Sequence, residues 1–221
     1  MFDVEAKAIA DLLESRGSAL RNNTILDVGS STGKYREKKP HLALLHEVIV
    51  AGGGAYMGLD LKDAEGVDLV GDITSPETLA TIKGIAPKVI LLNNILEHLS
   101  DPWTVLRDVW EVVPKHGMLV VSVPLSFPYH PDPIDTMFRP RPAEIIKALE
   151  AATLIVDTVL EDHSLWSKWG RQGSGYLAYR LARSLTKLVL KSPFDYRYLF
   201  YSDFRWLFRR LSVSLVVAEK S

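Results

Sequence analysis

A run of small residues interrupts an apolar segment near the start of the chain. Residues 24–28 (TILDV) are mostly apolar, and Gly29-Ser30-Ser31-Thr32-Gly33 follows them directly. Glycine has no Cβ and accepts positive φ angles, so a turn of this composition lets backbone amides approach a ligand closely. The pattern predicts a buried strand, a ligand-binding turn and the start of a helix.

Two nucleotide-binding interpretations of this turn fail on spacing. A dinucleotide fingerprint beginning at Gly29 needs glycine at positions 31 and 34, where the chain has Ser31 and Lys34. A P-loop needs four residues between its glycines and a Ser or Thr after its lysine. Only three residues separate Gly29 from Gly33, and Tyr35 follows the lysine.

Polar residues also follow the next three apolar segments. A carboxylate offers two acceptor oxygens, so an acid at the end of the second strand can bind both hydroxyls of a ribose. The carboxyl ends of parallel strands meet at one edge of a sheet, where open α/β sheets bind ligands. The polar residues at these positions are Asp60, Asp72, Asn93 and Asn94, and an apolar residue, Leu61 or Ile73, follows each aspartate.

A proline-rich segment, residues 124–140, follows the fifth predicted strand and carries the candidate acceptor-side residues. His130 is the candidate general base because imidazole titrates near neutral pH, and Asp135 is its candidate orienting partner. Tyr129 and Arg139 are candidate substrate contacts, Arg139 for a carboxylate or a phosphate. The alternatives are structural, with His130 bonded to backbone in the turn and Arg139 paired with Asp135.

Four segments together resemble class I S-adenosylmethionine-dependent methyltransferases of the small-molecule and glycan type. Residues 25–33 (ILDVGSSTG) resemble the family's first motif, with Ser31 where the family usually has its middle glycine. Residues 58–61 and 70–74 resemble its second-strand and third-strand elements, and residues 90–102 (ILLNNILEHLSDP) resemble the end of its fourth strand. The resemblance covers roughly residues 20–160 and the last strand.

The resemblance implies S-adenosylmethionine as methyl donor, with S-adenosylhomocysteine as product. In the family the first turn cradles the methionine part, the acid at Asp27 lies near its amino group, and the acid at Asp60 binds the ribose. Asp72 would bond the adenine amino group while Ile73 packs on the ring. His98 is either a catalytic residue lining the pocket or a residue that holds the turn after strand four. The implied cofactor contacts are Asp27, Gly29, Ser30, Ser31, Gly33, Asp60, Leu61, Asp72, Ile73, Asn93 and Asn94.

Short apolar runs alternate with helical patterns along the whole chain. Strands apolar on both faces indicate a parallel sheet covered on both sides. With the resemblance, this predicts an α/β, Rossmann-like doubly wound fold in one domain, residues 1–221, whose mostly parallel seven-stranded sheet has an antiparallel last strand. The predicted strands are 24–28, 55–61, 67–70, 89–92, 118–123, 153–160 and 213–218, and helices are predicted at 3–16, 102–115 and 142–151.

Residues 161–211 are predicted to form a helical, aromatic and basic insertion before the last strand. Residues 165–211 carry a net charge of +8, and the remainder of the chain carries −9. Residues 177–191 predict an amphipathic helix with its basic residues opposite an apolar face. Those basic residues are Arg180, Arg183, Lys187 and Lys191, and the aromatic residues that follow are Phe194, Tyr196, Tyr198, Phe200, Tyr201, Phe204, Trp206 and Phe208.

We expect this insertion to form a cap beside the acceptor pocket. An anionic membrane surface is its expected partner, since aromatic and cationic side chains suit such interfaces. The structural alternative is a helix that packs its apolar face on the sheet and leaves its basic side solvated. Single-stranded nucleic acid is the weaker alternative, and a homodimer stays open.

Composition narrows the functional classes further. The chain has no cysteine, which excludes disulfides, thiolate metal sites and cysteine nucleophiles. We expect a cytoplasmic protein, with peripheral membrane attachment left open, and no metal site, because methyl transfer from a sulfonium requires none. The acceptor is expected to be a small molecule, a glycan or a lipid-linked compound, methylated on oxygen or nitrogen. The alternatives are a non-catalytic cofactor-binding scaffold and an RNA or protein methyltransferase.

Overall fold

The computed structural model describes residues 2–130, 134–191 and 206–221. Helices and strands alternate over most of this length. The strands are β1 (Thr24–Val28), β2 (Ala55–Asp60), β3 (Leu69–Val70), β4 (Val89–Asn93), β5 (Met118–Ser126), β6 (Ala152–Asp162) and β7 (Leu211–Lys220). The helices are α1 (Asp3–Ser15), α2 (Gly17–Leu20), α3 (Gly33–Glu37), α4 (Pro40–Ala51), α5 (Pro76–Ile85), α6 (Pro102–Val112), α7 (Pro142–Ile146), α8 (Leu165–Gly170) and α9 (Ser174–Lys191), with a 3₁₀ turn at Leu96–His98.

The strands within the described residues form one seven-stranded sheet in the order β3-β2-β1-β4-β5-β7-β6. Strands β1 to β5 pair in parallel, and β7 runs antiparallel to both of its neighbours, β5 and β6. The predicted Rossmann-like architecture with an antiparallel last strand is therefore confirmed. The carboxyl ends of β1 to β6 share one edge of the sheet.

Hydrophobic cores cover both faces of the sheet. Successive side chains of a strand point to opposite faces, so Ile25 belongs to one core and Leu26 to the other. Every residue of β4 from position 89 to 92 is buried, as the uninterrupted apolar run predicts. This burial rigidly holds the strand ends, which carry the candidate site residues.

Helix α6 begins at the residue that the sequence predicts, because its capping residue and its proline are local signals. Asp101 caps its first turn by accepting a hydrogen bond from the Thr104 amide at 3.1 Å, and Pro102 begins the helix. Its apolar residues lie on one face and are buried against the sheet, Trp110 among them. The helix predicted at residues 142–151 is shorter than expected, since α7 ends at Ile146.

Helices α8 and α9 lie between β6 and β7 and build a third, smaller core. Leu165 and Trp169 of α8 pack there with Leu207 and Leu211, and Phe127 from the loop after β5 contacts them. The predicted amphipathic helix at 177–191 lies within α9. Residues 192–205, which hold most of the predicted aromatic cluster, lie outside the described residues, as do the side chains of residues 187, 188, 190 and 191.

Arg180, one of the four basic residues predicted opposite the apolar face, packs against aromatic rings. Its guanidinium lies over the Trp169 ring, 4.8 Å from the centroid, and donates to the Tyr176 hydroxyl at 3.2 Å. Leu185 and Val189, which lie on the predicted apolar face, are 52% and 61% exposed, contrary to the alternative in which that face packs on the sheet. A helical wheel gives relative angles only, so it could not show that aromatic rings on α8 and α9 hold this arginine.

No helix in the described part of the chain combines the length and the hydropathy that crossing a membrane requires.

Candidate functional site

The turn after β1 adopts the backbone conformation that its composition predicts. Gly29 and Ser31 have φ angles of 75° and 59°. The amides of Gly29 and Ser30 both donate to the Leu59 carbonyl, at 2.8 and 3.0 Å. This backbone pairing holds the turn against the end of β2, and α3 begins two residues after Ser31.

Asp60, at the end of β2, is hydrogen-bonded to this turn. Its Oδ2 accepts a hydrogen bond from the Ser31 amide at 2.8 Å, and its Oδ1 accepts one from the Lys62 amide at 3.1 Å. A carboxylate has about four acceptor positions, so two remain for a ligand. The next side chain, Leu61, is apolar and yet 70% exposed. An acid and an exposed apolar residue therefore stand together beside the turn.

Asp27 lies at the same edge and has a perturbed acidity. Its Oδ2 accepts a hydrogen bond of 2.6 Å from the Tyr56 hydroxyl. Burial raises the pKa of Asp27 to about 6, with a further small rise from Asp60, while the Tyr56 hydrogen bond and the charge of Arg36 act in the opposite direction. The pKa of Tyr56 is also raised, first by burial and then by Asp27. The site thus holds a carboxyl that titrates close to neutrality.

Ser30 and Gly33 serve mainly to let segments approach one another. The Ser30 side chain is buried, and a Cβ at Gly58 would lie 2.6 Å from its Oγ. Gly33 packs on the backbone of the loop after β2 and donates from its amide to the Glu65 carbonyl at 2.9 Å. Both amides already donate within the protein, Ser30 to Leu59 and Gly33 to Glu65, so these two residues shape the turn and do not offer the ligand-facing amides that its composition predicts.

The residues after β3 divide between surface and core. Asp72 is exposed, and its Oδ1 accepts hydrogen bonds from the amide and the hydroxyl of Thr74, at 2.9 and 2.8 Å. Ile73 is only 5% exposed and belongs to the main core. Asp72 is therefore available to a ligand at this edge, whereas Ile73 packs inward.

The ends of β4 and β5 meet a buried carboxylate from the first helix. Glu5 is fully buried, and its Oε1 accepts from the Asn94 side-chain amide at 2.6 Å and from the Ser122 hydroxyl at 2.5 Å. The Ser122 hydroxyl also lies 3.0 Å from Oδ1 of Asn93. Sequence reasoning missed Glu5. The available signal was an acid one turn before Ile9 on the apolar face of α1.

Three side chains from two segments of the chain converge beyond the end of β4. Glu97 and His98 lie on the 3₁₀ turn, and His130 comes from the loop after β5. Glu97 Oε1 is 3.9 Å from His98 Nε2 and 4.0 Å from His130 Nε2, and the two imidazole rings stand edge to face at 5.5 Å. Burial raises the pKa of Glu97, while its own backbone amide and, when protonated, the two histidines act in the opposite direction. The sequence did not single out Glu97 as a member of this group.

Asp135 joins the proline-rich loop to this cluster. Its Oδ2 lies 3.0 Å from His130 Nδ1 and accepts from the Arg139 guanidinium at 2.7 Å. Burial acts to raise the pKa of Asp135, but hydrogen bonds from His130 and Arg139 outweigh it and hold that pKa well below its usual range. The structure therefore pairs Asp135 with both predicted partners. Arg139 is engaged by Asp135, the structural alternative considered for it.

An aromatic wall links His130 to the insertion. The Phe127 ring contacts His130 edge on at 4.8 Å, and the Phe2 ring lies 5.4 Å from Phe127. Lys168 of α8 stands over the Phe2 ring at 4.6 Å. Tyr129 lies next to His130 in the same loop and is half-buried.

A cavity of about 600 Å³ opens beside this wall, where the end of β6 meets the starts of α1 and α8. Its lining is predominantly charged and polar, with acids and bases interspersed. The lining residues are Asp3, Val4, Glu161, Asp162, His163, Lys168, Arg171, Gln172 and Arg210. A volume of this size is within the usual range for small-molecule sites.

No protein-family model matches the chain, and no curated protein matches its sequence. Solved structures do match its fold. One is a coclaurine N-methyltransferase bound to N-methylheliamine and SAH, at 17% identity and a TM-score of 0.54, covering 97% of this chain and 70% of that one. Another, described as a sarcosine dimethylglycine methyltransferase from Galdieria sulphuraria, has 13% identity and a TM-score of 0.55, with 98% and 84% covered.

A third similar structure is the [4+2]-cyclase SpnF, at 16% identity and a TM-score of 0.53, with 96% of this chain and 80% of that chain covered. At these identities the likeness concerns the fold. The fold is therefore that of the class I, Rossmann-like methyltransferases, and the candidate residues that follow β1 to β4 lie at the carboxyl edge of its sheet.

Proposed function

We propose that this chain is an S-adenosylmethionine-dependent methyltransferase acting on a polar small-molecule or glycan acceptor. The observation that carries the proposal is the contact between Asp60 and the Ser31 amide at 2.8 Å. It joins an acid at the end of β2 to a turn with positive φ angles after β1, the arrangement that a ribose and a charged ligand tail require. The fold neighbours include a methyltransferase bound to SAH.

The residues at this edge fit such a cofactor. Asp60 retains free acceptor positions for ribose hydroxyls, and the exposed Leu61 side chain offers an apolar surface for a flat ring. Asp27 would lie near the methionine ammonium group, and Asp72 is exposed for the adenine amino group. When bound, the cofactor supplies a methyl group on a sulfonium. The chain itself needs only to align the acceptor for an in-line displacement and to accept a proton.

The acceptor site is proposed to lie between the Glu97–His98–His130 cluster and the charged cavity beside α8. A hydroxyl acceptor would transfer its proton to Nε2 of His130, because Nδ1 of that ring faces Asp135 and the Pro128 carbonyl. The mixed charges of the cavity favour polar, hydrogen-bonding acceptors over purely apolar ones. Both oxygen and nitrogen acceptors are compatible with this arrangement.

A second candidate function is cofactor binding without methyl transfer. One neighbour of this fold is described as a cyclase, so the fold alone does not require methylation. This candidate shares the cofactor site and differs only in its use of the acceptor side.

The test begins with the purified full-length chain. Mass spectrometry of the denatured protein should detect retained S-adenosylmethionine or S-adenosylhomocysteine, and calorimetry should give a micromolar dissociation constant. A panel of sugars, amines and phenols with methyl-labelled cofactor then separates the two candidates. Label transfer supports the methyltransferase, cofactor binding without transfer to any acceptor favours the second candidate, and absence of cofactor binding contradicts both.

A further inference from the structure

The Glu97–His98–His130 cluster has the geometry of a metal site. Its three ligand atoms, one from each side chain, all lie within 4.8 Å of one another. Tetrahedral coordination at ordinary zinc distances would separate such atoms by about 3.4 Å. The two nitrogen-to-oxygen distances, 3.9 and 4.0 Å, exceed this by about half an ångström. Rotation of the side chains can supply so small a contraction.

Both histidines already have their outer nitrogen fixed. Nδ1 of His98 meets the Ile134 carbonyl, and Nδ1 of His130 lies 3.1 Å from the Pro128 carbonyl and 3.0 Å from Asp135 Oδ2. A carbonyl oxygen can only accept, so both Nδ1 atoms carry the proton. A neutral imidazole then presents a bare lone pair at Nε2. Histidines that bind metals are held by acceptors at their other nitrogen in this same manner.

Glu97 supplies the second, independent observation. Its side chain is fully buried, and within the described residues neither carboxylate oxygen has a hydrogen-bond partner. A buried carboxylate without a partner is costly unless a cation compensates it. In the neutral form of both rings, the Nε2 lone pairs face this carboxylate and donate no hydrogen bond to it. A cation held between the three atoms removes both unfavourable features together.

We propose that Glu97, His98 and His130 bind one divalent first-row transition-metal ion. Two imidazoles and a carboxylate suit zinc, cobalt, manganese or iron better than magnesium or calcium, which prefer sites made only of oxygen. Three protein ligands leave coordination positions open, as in catalytic sites. The histidines are 19% and 32% exposed on their side chains, so solvent or a ligand can reach the cluster from the histidine side.

The outer contacts give the site its support. Asp135 accepts from His130 and is itself held by Arg139, while the backbone carbonyl of Glu97 accepts from the amide and the hydroxyl of Thr136, at 2.9 and 3.0 Å. The metal would occupy the Nε2 lone pair of His130 that otherwise serves as a base. Metal binding itself does not depend on methyl transfer, and the experiment below uses neither cofactor nor acceptor.

The experiment uses the full chain, freed of any affinity tag and stripped with a chelator that is then removed. Calorimetry with Zn²⁺ should give one site with a dissociation constant of 10 µM or lower, and Mg²⁺ should bind at least 100-fold more weakly. Co²⁺ should give visible absorption bands of low coordination number. Glu97→Gln and His98→Ala should each weaken Zn²⁺ binding at least 100-fold, and Asp135→Asn about 10- to 100-fold.

The matched control is His116→Ala. His116 also faces a carboxylate, with Nδ1 3.7 Å from Glu219 Oε1, but it stands on the surface and outside the cluster. Zn²⁺ affinity should not change in this variant. Circular dichroism and thermal unfolding of every variant identify any loss caused by misfolding.

A readout on the parental protein covers the case in which a variant does not fold. Nitrogen-15 spectra of the histidine side chains should show the Nε2 signals of His98 and His130 moving on addition of one equivalent of Zn²⁺, with the Nδ1 protons retained. Unchanged Nε2 signals with Zn²⁺, or Zn²⁺ affinity undiminished in both Glu97→Gln and His98→Ala, would overturn the proposal. Protonated Nε2 atoms in the metal-free protein that stay protonated with Zn²⁺ would identify the cluster as imidazolium–carboxylate pairs instead.

Discussion

Replacement of Asp60 by alanine gives the most direct test of the proposed cofactor site. The variant removes a charged acceptor for the ribose hydroxyls, and hydrogen bonds to charged groups contribute about 1.5 to 3 kcal/mol. It also removes the acceptor of the Ser31 amide, at 2.8 Å, from a turn whose φ angle of 59° is unfavourable for serine. We therefore expect cofactor affinity to fall by about 10- to 150-fold.

Calorimetry with S-adenosylhomocysteine measures this loss without any acceptor. Asp60→Asn keeps one carbonyl oxygen for the Ser31 amide and should lose less affinity than Asp60→Ala. The control is Asp63→Ala, which removes an exposed acid three residues further along the same loop. Affinity in Asp60→Ala within twofold of the parental value, in a protein with unchanged thermal unfolding, would remove Asp60 from the site.

Four further predictions concern other parts of the molecule. His130→Ala should lower methyl transfer about 10²- to 10⁴-fold while cofactor affinity stays unchanged; parental turnover in this variant would exclude His130 as the general base. Cofactor affinity should rise with pH through about 6 and level off above 7, because burial raises the pKa of Asp27 to about 6 and only its ionised form attracts the cofactor ammonium. Calorimetry from pH 5 to 8 measures this dependence, and Asp27→Asn should remove it. Glu5→Ala should lower the free energy of unfolding by about 1 to 3 kcal/mol, since the half-buried Asn94 amide loses its acceptor and the buried Ser122 hydroxyl keeps only Asn93; Glu14→Ala, an exposed acid on the same helix, should change it by under about 0.5 kcal/mol in urea titrations. For the basic part of the insertion, residues 165–211, we expect the protein to sediment with anionic but not with neutral liposomes, in a salt-sensitive manner. Absence of sedimentation with both kinds of liposome would leave this positive charge as solvated surface.

Much of the fold was predictable because its strands are short, apolar and buried on both faces. β1 has the predicted bounds, Thr24–Val28, and β4 and β5 extend the predicted runs by one and three residues. Caps and prolines also act locally, so the start of α6 at Pro102 was readable. The end of α7 was not, because no local signal in residues 147–151 stops the helix at Ile146.

The candidate cofactor residues were predictable for a related reason. Motifs at strand ends carry their spacing within a few residues of chain, and parallel strands bring those ends to one edge. Asp27, Asp60 and the turn at Gly29 could therefore be placed together from the sequence. Their individual contacts could not, and the inward packing of Ser30 and Ile73 depends on neighbours from β2 and the core.

By itself, then, the sequence determined the order and kind of elements and the edge at which polar groups collect, because hydrophobic periodicity and turn chemistry act over a few residues. Only the tertiary structure decided which distant groups meet. Glu5 reaches Ser122 across 117 positions of the chain, and His130 closes on Glu97 only when the loop after β5 folds back over the 3₁₀ turn. Such contacts depend on how whole elements pack, and packing is a property of the assembled sheet and helices rather than of any local pattern.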